Sequence, residues 1–165
     1  MQTPESMSIE PLGGDDVDVV KWVVYTAVSW NDPPDLPPFD IALEHPQLAR
    51  FHRGWGRRGD FGVKAEIDGG FAGAAFARLF TGADHADGYV DDHTPELAVA
   101  VDARFRRRGV ARSLLGALCG EARHHGIERL SLSVNNANLA RRLYEAVGFD
   151  LFADDGTSSI MVLAL

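Results

Sequence analysis

The sequence predicts a mixed α/β domain, and three observations predict it. Residues 96–101, Glu-Leu-Ala-Val-Ala-Val, alternate with a two-residue period and are apolar on both faces, as a strand inside a sheet must be. From Val110 the period lengthens: Val110, Leu114, Leu118 and Ala122 recur every fourth residue, with Ala111 and Leu115 beside them, so one stripe of a helix faces a core. A second strand at 130–134 and a second helix near 138–148 follow, and hairpin patterns stand before and after this run. The order of elements is therefore mixed, and the central strand-helix-strand unit is expected to be parallel and right-handed.

Composition bounds what such a domain does. A chain of 165 residues with 45% apolar content builds one substantial core, and residues 1–165 are read as one domain. The net charge of -8 and pI near 5.1 argue against a nucleic-acid backbone as partner. The start, Met-Gln-Thr-Pro-Glu-Ser, has neither the basic region nor the apolar core of a secretory signal, and no apolar run reaches membrane-spanning length. Cys119 is the one cysteine, so no internal disulfide forms and a reducing cytoplasm is expected; beside an apolar stripe it reads as a buried thiol rather than a nucleophile.

The elements follow in order. Residues 8–11 suit a short edge strand, and Gly13-Gly14 with Asp15-Asp16 mark a helix start continued by Val17, Val20, Val24 and Val28. Pro33, Pro34, Pro37 and Pro38 make residues 31–39 a loop. Pro46 opens a short helix bearing Leu48 and Phe51, ended by Gly54-Trp55-Gly56. Phe61, Val63, Ala65 and Ile67 alternate, turn at Asp68-Gly69-Gly70 and return through 71–80 as a hairpin. Residues 81–95 read as an exposed connection. Its Asp84, His85, Asp87, Asp91, Asp92 and His93 show no established ligand spacing, so no metal site is expected. After the central helix, His124-His125 suit its C-terminus and Gly126 breaks it. Leu130, Leu132 and Val134 form a strand. Asn138 is a good cap for a helix with Leu139, Leu143 and Val147 as its buried stripe and Gly148 as its stop, and a hairpin through Asp154-Asp155-Gly156 completes the chain.

Between the strand at 96–101 and the helix at 110 lie Arg106, Arg107, Arg108 and Gly109, with Arg112 one turn on. Four basic side chains around the unpaired N–H groups of a helix start attract phosphate. A nucleoside-triphosphate site is disfavoured, because no Lys-Ser/Thr pair follows the glycine.

This order, with Arg106-x-x-Gly109-x-Ala111 after one strand and Asn138-x-Ala140-x-x-Leu143-Tyr144-Glu145-x-x-Gly148-Phe149 after the next, resembles the GCN5-related N-acetyltransferase (GNAT) family over nearly the whole chain. The resemblance implies a mixed sheet flanked by helices in which the strand at 96–101 splays from its parallel neighbour. It also implies acetyl-CoA as co-substrate, its pantetheine arm lying along Val99, Ala100 and Val101 and its pyrophosphate on the amides of Arg107, Arg108, Gly109, Val110, Ala111 and Arg112. Gly109 is expected to let the backbone approach phosphate; Ala111, where the family often has glycine, is a minor departure. Asn138 matches an asparagine that contacts the cofactor arm, and capping the helix is an equal alternative. Tyr144 matches the tyrosine near the sulfur, a general acid, and Glu96 is the candidate general base, with His93 and Asp92 in reserve. On that reading Glu96→Gln lowers turnover most at low pH and spares acetyl-CoA binding.

The implied reaction is direct acetyl transfer to a primary amine, on a small molecule or a peptide, with no metal. The excess of carboxylates favours a cationic amine, and Trp22, Tyr25, Trp30, Phe39, Trp55 and Tyr89 stand in segments suited to wall its pocket. The rival reading is a non-catalytic acyl-CoA-binding or regulatory module on the same fold. Family analogy and the C-terminal edge strands leave room for a homodimer.

Overall fold

The computed structural model describes residues 6–165; residues 1–5, which carry most of the N-terminal segment read as lacking a secretory signal, lie outside the described residues. One seven-stranded sheet organises the chain, in the order β1-β2-β3-β4-β5-β7-β6. Its strands are β1 (Met7–Pro11), β2 (Phe61–Ile67), β3 (Gly70–Arg78), β4 (Glu96–Val101), β5 (Arg129–Asn135), β6 (Asp150–Asp154) and β7 (Ser158–Ala164). The helices are α1 (Val17–Val28), α2 (Phe39–Ala42), α3 (Pro46–His52), α4 (Val110–His124) and α5 (Ala140–Val147). All neighbouring strands run antiparallel except β4 and β5. No helix among the described residues is long and apolar enough to cross a membrane.

The period-two pattern decides which side chain meets which helix. On one face Val63 and Ala65 of β2, Ala75 and Ala77 of β3, and Leu130 and Leu132 of β5 pack with Val110, Leu114, Leu115, Leu118 and Ala122 of α4. On the other, Ala74 and Phe76 of β3 and Ala100 of β4 meet Val20, Val23 and Val24 of α1. Small residues along β3 and β4 let both helical layers approach closely, which keeps the centre of the sheet dry. Cys119 is buried on α4, as expected.

Four features differ from the sequence reading. Asn138 is outside α5, although its Oδ1 accepts from the Ala140 N–H at 2.9 Å, so the capping bond is present one position early. Leu139 is not part of a buried stripe: it precedes the helix and is 71% exposed. The 81–95 connection is not wholly exposed, since Ala86, Gly88, Thr94 and Pro95 are buried against the sheet. Finally, β3 ends in a charged residue with no exposure at all, Arg78.

Arg78 is tolerated because its donors are occupied. Nε and Nη2 donate to the two carboxylate oxygens of Asp60 at 3.0 and 2.8 Å, and Nη1 donates to the carbonyls of Arg50 and Arg53 at 3.0 and 2.7 Å. Asp60, also buried, accepts in addition from the Gly56 N–H at 3.0 Å. The pair thus ties the end of α3 and the turn after it to β3. Removing one partner leaves a buried charge uncompensated, which costs about 3–5 kcal/mol. Arg78→Met and Asp60→Ala should each lower the denaturant midpoint by a corresponding amount in equilibrium unfolding, with the slope unchanged.

Candidate functional site

Strands β4 and β5 touch at one position and then part. Their parallel register consists of Glu96 opposite Ser131, reinforced by the Ser131 N–H donating to the Pro95 carbonyl at 2.9 Å. Beyond it each strand keeps its other neighbour, β4 pairing β3 as far as Val101 and β5 pairing β7 as far as Asn135. The facing edges of 97–101 and 132–135 are therefore unpaired with each other, and a cavity of about 770 Å³ opens between them. Val99, Ala100 and Val101 line one side, and Ser133, Asn135 and Asn138 the other. Edge amides and carbonyls left in this way accept an extended, amide-bearing ligand as they would an added strand.

At the outer end of the gap the chain makes a second, smaller recess of about 330 Å³, lined by Arg106, Arg107, Gly109, Val110, Ala111 and Arg112. Arg107 and Gly109 both adopt positive φ, 62° and 76°, so the backbone coils immediately before α4. No side chain caps α4, and the amides of its first turn have no partner within the helix. A Cβ on Gly109 would meet no protein atom within 4 Å. Within the protein, then, glycine is required here for its backbone conformation, and the open space above it is left to a ligand. Not every arginine of the cluster is equivalent. Arg104 is bound to Asp102, Arg108 lies over the Phe105 ring, and Arg106 reaches both recesses.

Glu96 sits where the strands part. It lines the cavity yet is only 4% exposed, and its Oε1 is buried with no hydrogen-bond partner. Burial pushes its carboxyl up to about 8; the Gly88 backbone N–H pulls the other way, Asp87 adds to the rise and Arg50 opposes it. Tyr144 lines the same cavity from α5, packed edge-to-face on Phe149 at 5.9 Å. Burial pushes its phenol up to about 12, so it carries its proton throughout the neutral range.

The other candidates are placed elsewhere. His93 and Asp92 are exposed and do not line the cavity; Asp92 accepts from the Tyr89 hydroxyl and the Gly82 N–H, and Asp91 bonds Arg129. Among the described residues no three of His, Cys, Asp and Glu converge as a metal site would require. Of the six aromatics considered for an acceptor wall, Trp30 reaches the cavity. Trp22 and Trp55 instead pack on Phe71 and Phe76, and Tyr25 on Phe39. Sequence patterns missed Thr26, Gln47, Leu48, Phe51 and Asp87 in the cavity wall. Apolar periodicity identifies which helix face is covered but not which covered residues border a void; Asp87 was visible only as one of many loop carboxylates.

Comparison with known proteins gives the following. A model of the acetyltransferase (GNAT) family matches residues 25–149. The [ribosomal protein bS18]-alanine N-acetyltransferase of Haemophilus ducreyi is 42% identical over 53 residues, a match that spans 32% of this chain and 37% of that relative's length. The PaiA N-acetyltransferase of Thermoplasma acidophilum, solved in complex with coenzyme A, superposes with a TM-score of 0.69 at 16% identity, over 97% of this chain and 99% of the other. A ribosomal-protein-alanine N-acetyltransferase from Brucella melitensis gives 0.67 at 20% identity, covering 96% and 99%. The acetyltransferase YncA from Salmonella typhimurium, solved with acetyl-CoA, gives 0.66 at 22% identity, covering 96% and 94%. At these identities the structural likeness establishes the fold.

The raised Glu96 value has a consequence for stability. A carboxyl whose folded value, about 8, exceeds its ordinary 4.5 holds its proton more tightly when folded. Its contribution is complete below the unfolded value and is lost as pH rises through the folded one. Glu96→Gln cannot ionise and escapes that loss. Thermal unfolding at pH 5, 7 and 9 should show the variant's midpoint gaining on the parent's from pH 5 to pH 9.

Proposed function

The chain belongs to the acetyltransferase (GNAT) family, and from that premise we propose that residues 1–165 form one acetyl-CoA-dependent N-acetyltransferase domain that moves acetyl directly from the thioester to a primary amine. The observation that carries this reading is the Glu96 carboxyl, buried and without an ion pair among the described residues, at the point where two strands part, with Tyr144 on the same cavity. Acetyl-CoA fits the residues present. The unpaired edges of β4 and β5 suit its amide-bearing arm, and the uncapped start of α4 beside Arg106, Arg107 and Arg112 suits its pyrophosphate. When bound it supplies an activated acetyl group on a thiol leaving group.

The chain's own residues then have two proton tasks. An amine acceptor arrives as an ammonium ion and cannot attack until a proton leaves nitrogen; Glu96, ionised, takes that proton. The thiol leaves more readily if its sulfur is protonated, and the Tyr144 O–H is the donor on the opposite wall. The acceptor's body meets apolar side chains, Val24, Val28, Trp30, Leu48 and Phe51, with Asp87 as the carboxylate among them. That lining favours an amine carried on an apolar or aromatic body over a polycation, which needs several carboxylates.

Burial alters the pH dependence expected of an ordinary carboxylate. An ordinary glutamate is ionised throughout the neutral range, so its loss would matter most where the acceptor is most fully protonated. A carboxyl near 8 becomes a base only as pH rises through 8, so its removal costs most on the alkaline side. Thiol release from acetyl-CoA with an amine panel tests the whole reading. Turnover should depend on acceptor, rise through about pH 8, and in Glu96→Gln fall by about 10²-fold or more at pH 9 with that rise abolished. Tyr144→Phe should lower kcat by a similar factor while the acetyl-CoA dissociation constant stays within about twofold. Tight acetyl-CoA binding with no turnover on any amine would instead favour the non-catalytic module.

In the same assay format, Gly109→Ala probes the anchor. Alanine in a left-handed conformation costs about 1 kcal/mol, so coenzyme A should bind several-fold more weakly by calorimetry, with kcat at saturation nearly unchanged.

A further inference from the structure

The 81–95 loop comes against the Glu96 carboxyl and β5 at Gly88, which is buried. Its carbonyl accepts from the Ser131 hydroxyl at 2.7 Å, and Ser131, wholly buried, is the residue opposite Glu96 in the parallel pair. A Cβ placed on Gly88 would fall 2.7 Å from Cδ of Glu96, 2.8 Å from its Oε1 and 2.9 Å from the Leu132 carbonyl carbon. No side chain fits there without moving the carboxyl or the β5 backbone. The φ of Gly88 is not in the left-handed region, so closeness alone requires the glycine.

We propose that Gly88, locked by the Ser131 hydroxyl, is a positioning residue whose bare backbone fills the space where β4 and β5 part and holds the Glu96 carboxyl against the cavity. Its bearing on turnover rests on Glu96 as the base. The other groups around the carboxyl cannot perform this task. From the loop comes Asp87, of like charge; from α3 comes Arg50, which also contacts Asp84; from β3 comes Arg78, whose donors go to Asp60 and two carbonyls; β5 presents the uncharged Ser131 and Leu132. Ser131 thus ties the loop at Gly88 to β5, and Gly88 sets the position of the Glu96 carboxyl. Without the hydroxyl the Gly88 carbonyl loses its partner, the loop loosens and water reaches the carboxyl from below.

The test reads Glu96 directly. In the intact protein, the ¹³C signal of the Glu96 side-chain carboxyl, assigned by its absence in Glu96→Gln, is titrated in the parent, in Ser131→Ala and in Gly88→Ala. Ser131→Ala, the milder change, should move the midpoint down by about one pH unit, and the high-pH plateau of kcat should fall by about tenfold. Gly88→Ala should displace the carboxyl further; if it does not fold, Ser131→Ala decides. A midpoint that stays within 0.2 pH units of the parent's, roughly the error of such a titration, in every folded variant overturns the proposal, whatever the turnover. A shifted midpoint in a protein whose Glu96→Gln form retains full activity would overturn Glu96 as base and leave the positioning by Gly88 standing.

Discussion

Everything at the site depends on two strands that meet once and separate. Each is held firmly from its outer side: β4 is registered on β3 from Arg78–Glu96 to Gly73–Val101, and β5 on β7 from Arg129–Ala164 to Asn135–Ser158. Those ladders, with α4 packed on β2, β3 and β4 at one face, keep the inner edges apart although closing them would satisfy more backbone groups. The parting therefore stores an unmet demand for hydrogen bonds along a line about as long as a short peptide arm. It also creates the one kind of place where a carboxyl can be both buried and adjacent to a void.

Two acidic side chains, those of Asp60 and Glu96, are buried, and comparing them shows what burial is for in each. Asp60 has a guanidinium on both oxygens and a backbone N–H besides, so it is a joint between α3 and β3. Among the described residues Glu96 has no ion-pair partner, and its Oε1 goes without a hydrogen bond. Arg78 is Glu96's direct neighbour across β3 and β4, yet its four hydrogen bonds run the other way. The Asp60 pair thus does more than stabilise: by engaging Arg78 it keeps the cation opposite on β3 from pairing with Glu96 and depressing its value. A structural ion pair and a perturbed acid next to each other are parts of one arrangement.

Much of this was legible in the chain itself, for definite reasons. Strands β2, β3, β4, β5 and β7 and helices α1, α3 and α4 follow from apolar period, and Gly109 and Gly148 stand at helix ends with positive φ as their positions suggest. What escaped depends on contacts between segments distant in sequence. Leu139 has the spacing of a stripe but precedes the helix, so nothing covers it. The 81–95 segment has the composition of a solvated loop, and it is buried in part because Gly88 finds Ser131, 43 residues on. Arg78 gave a faint signal, a charge closing the apolar run Gly-Phe-Ala-Gly-Ala-Ala-Phe-Ala, yet its partner Asp60 lies 18 residues earlier beyond a hairpin strand. Periodicity reports which face is covered; it does not report by what.

The two glycines that matter at the site make the same point from opposite directions. Gly109 is needed for its torsion angle: a side chain there would touch no atom of the described residues, and on the proposed reading the open space around it admits an anion to the helix start. Gly88 is needed for its size: its torsion suits any residue, but a single carbon would collide with the carboxyl and with β5. The first sits within a motif and is readable from it, since the demand comes from its own turn. The second sits in an unremarkable loop, and the demand comes from a glutamate eight residues later and a serine across the sheet. On the proposed reading the cofactor anchor is written locally in the chain, whereas the setting of Glu96 is written in the fold.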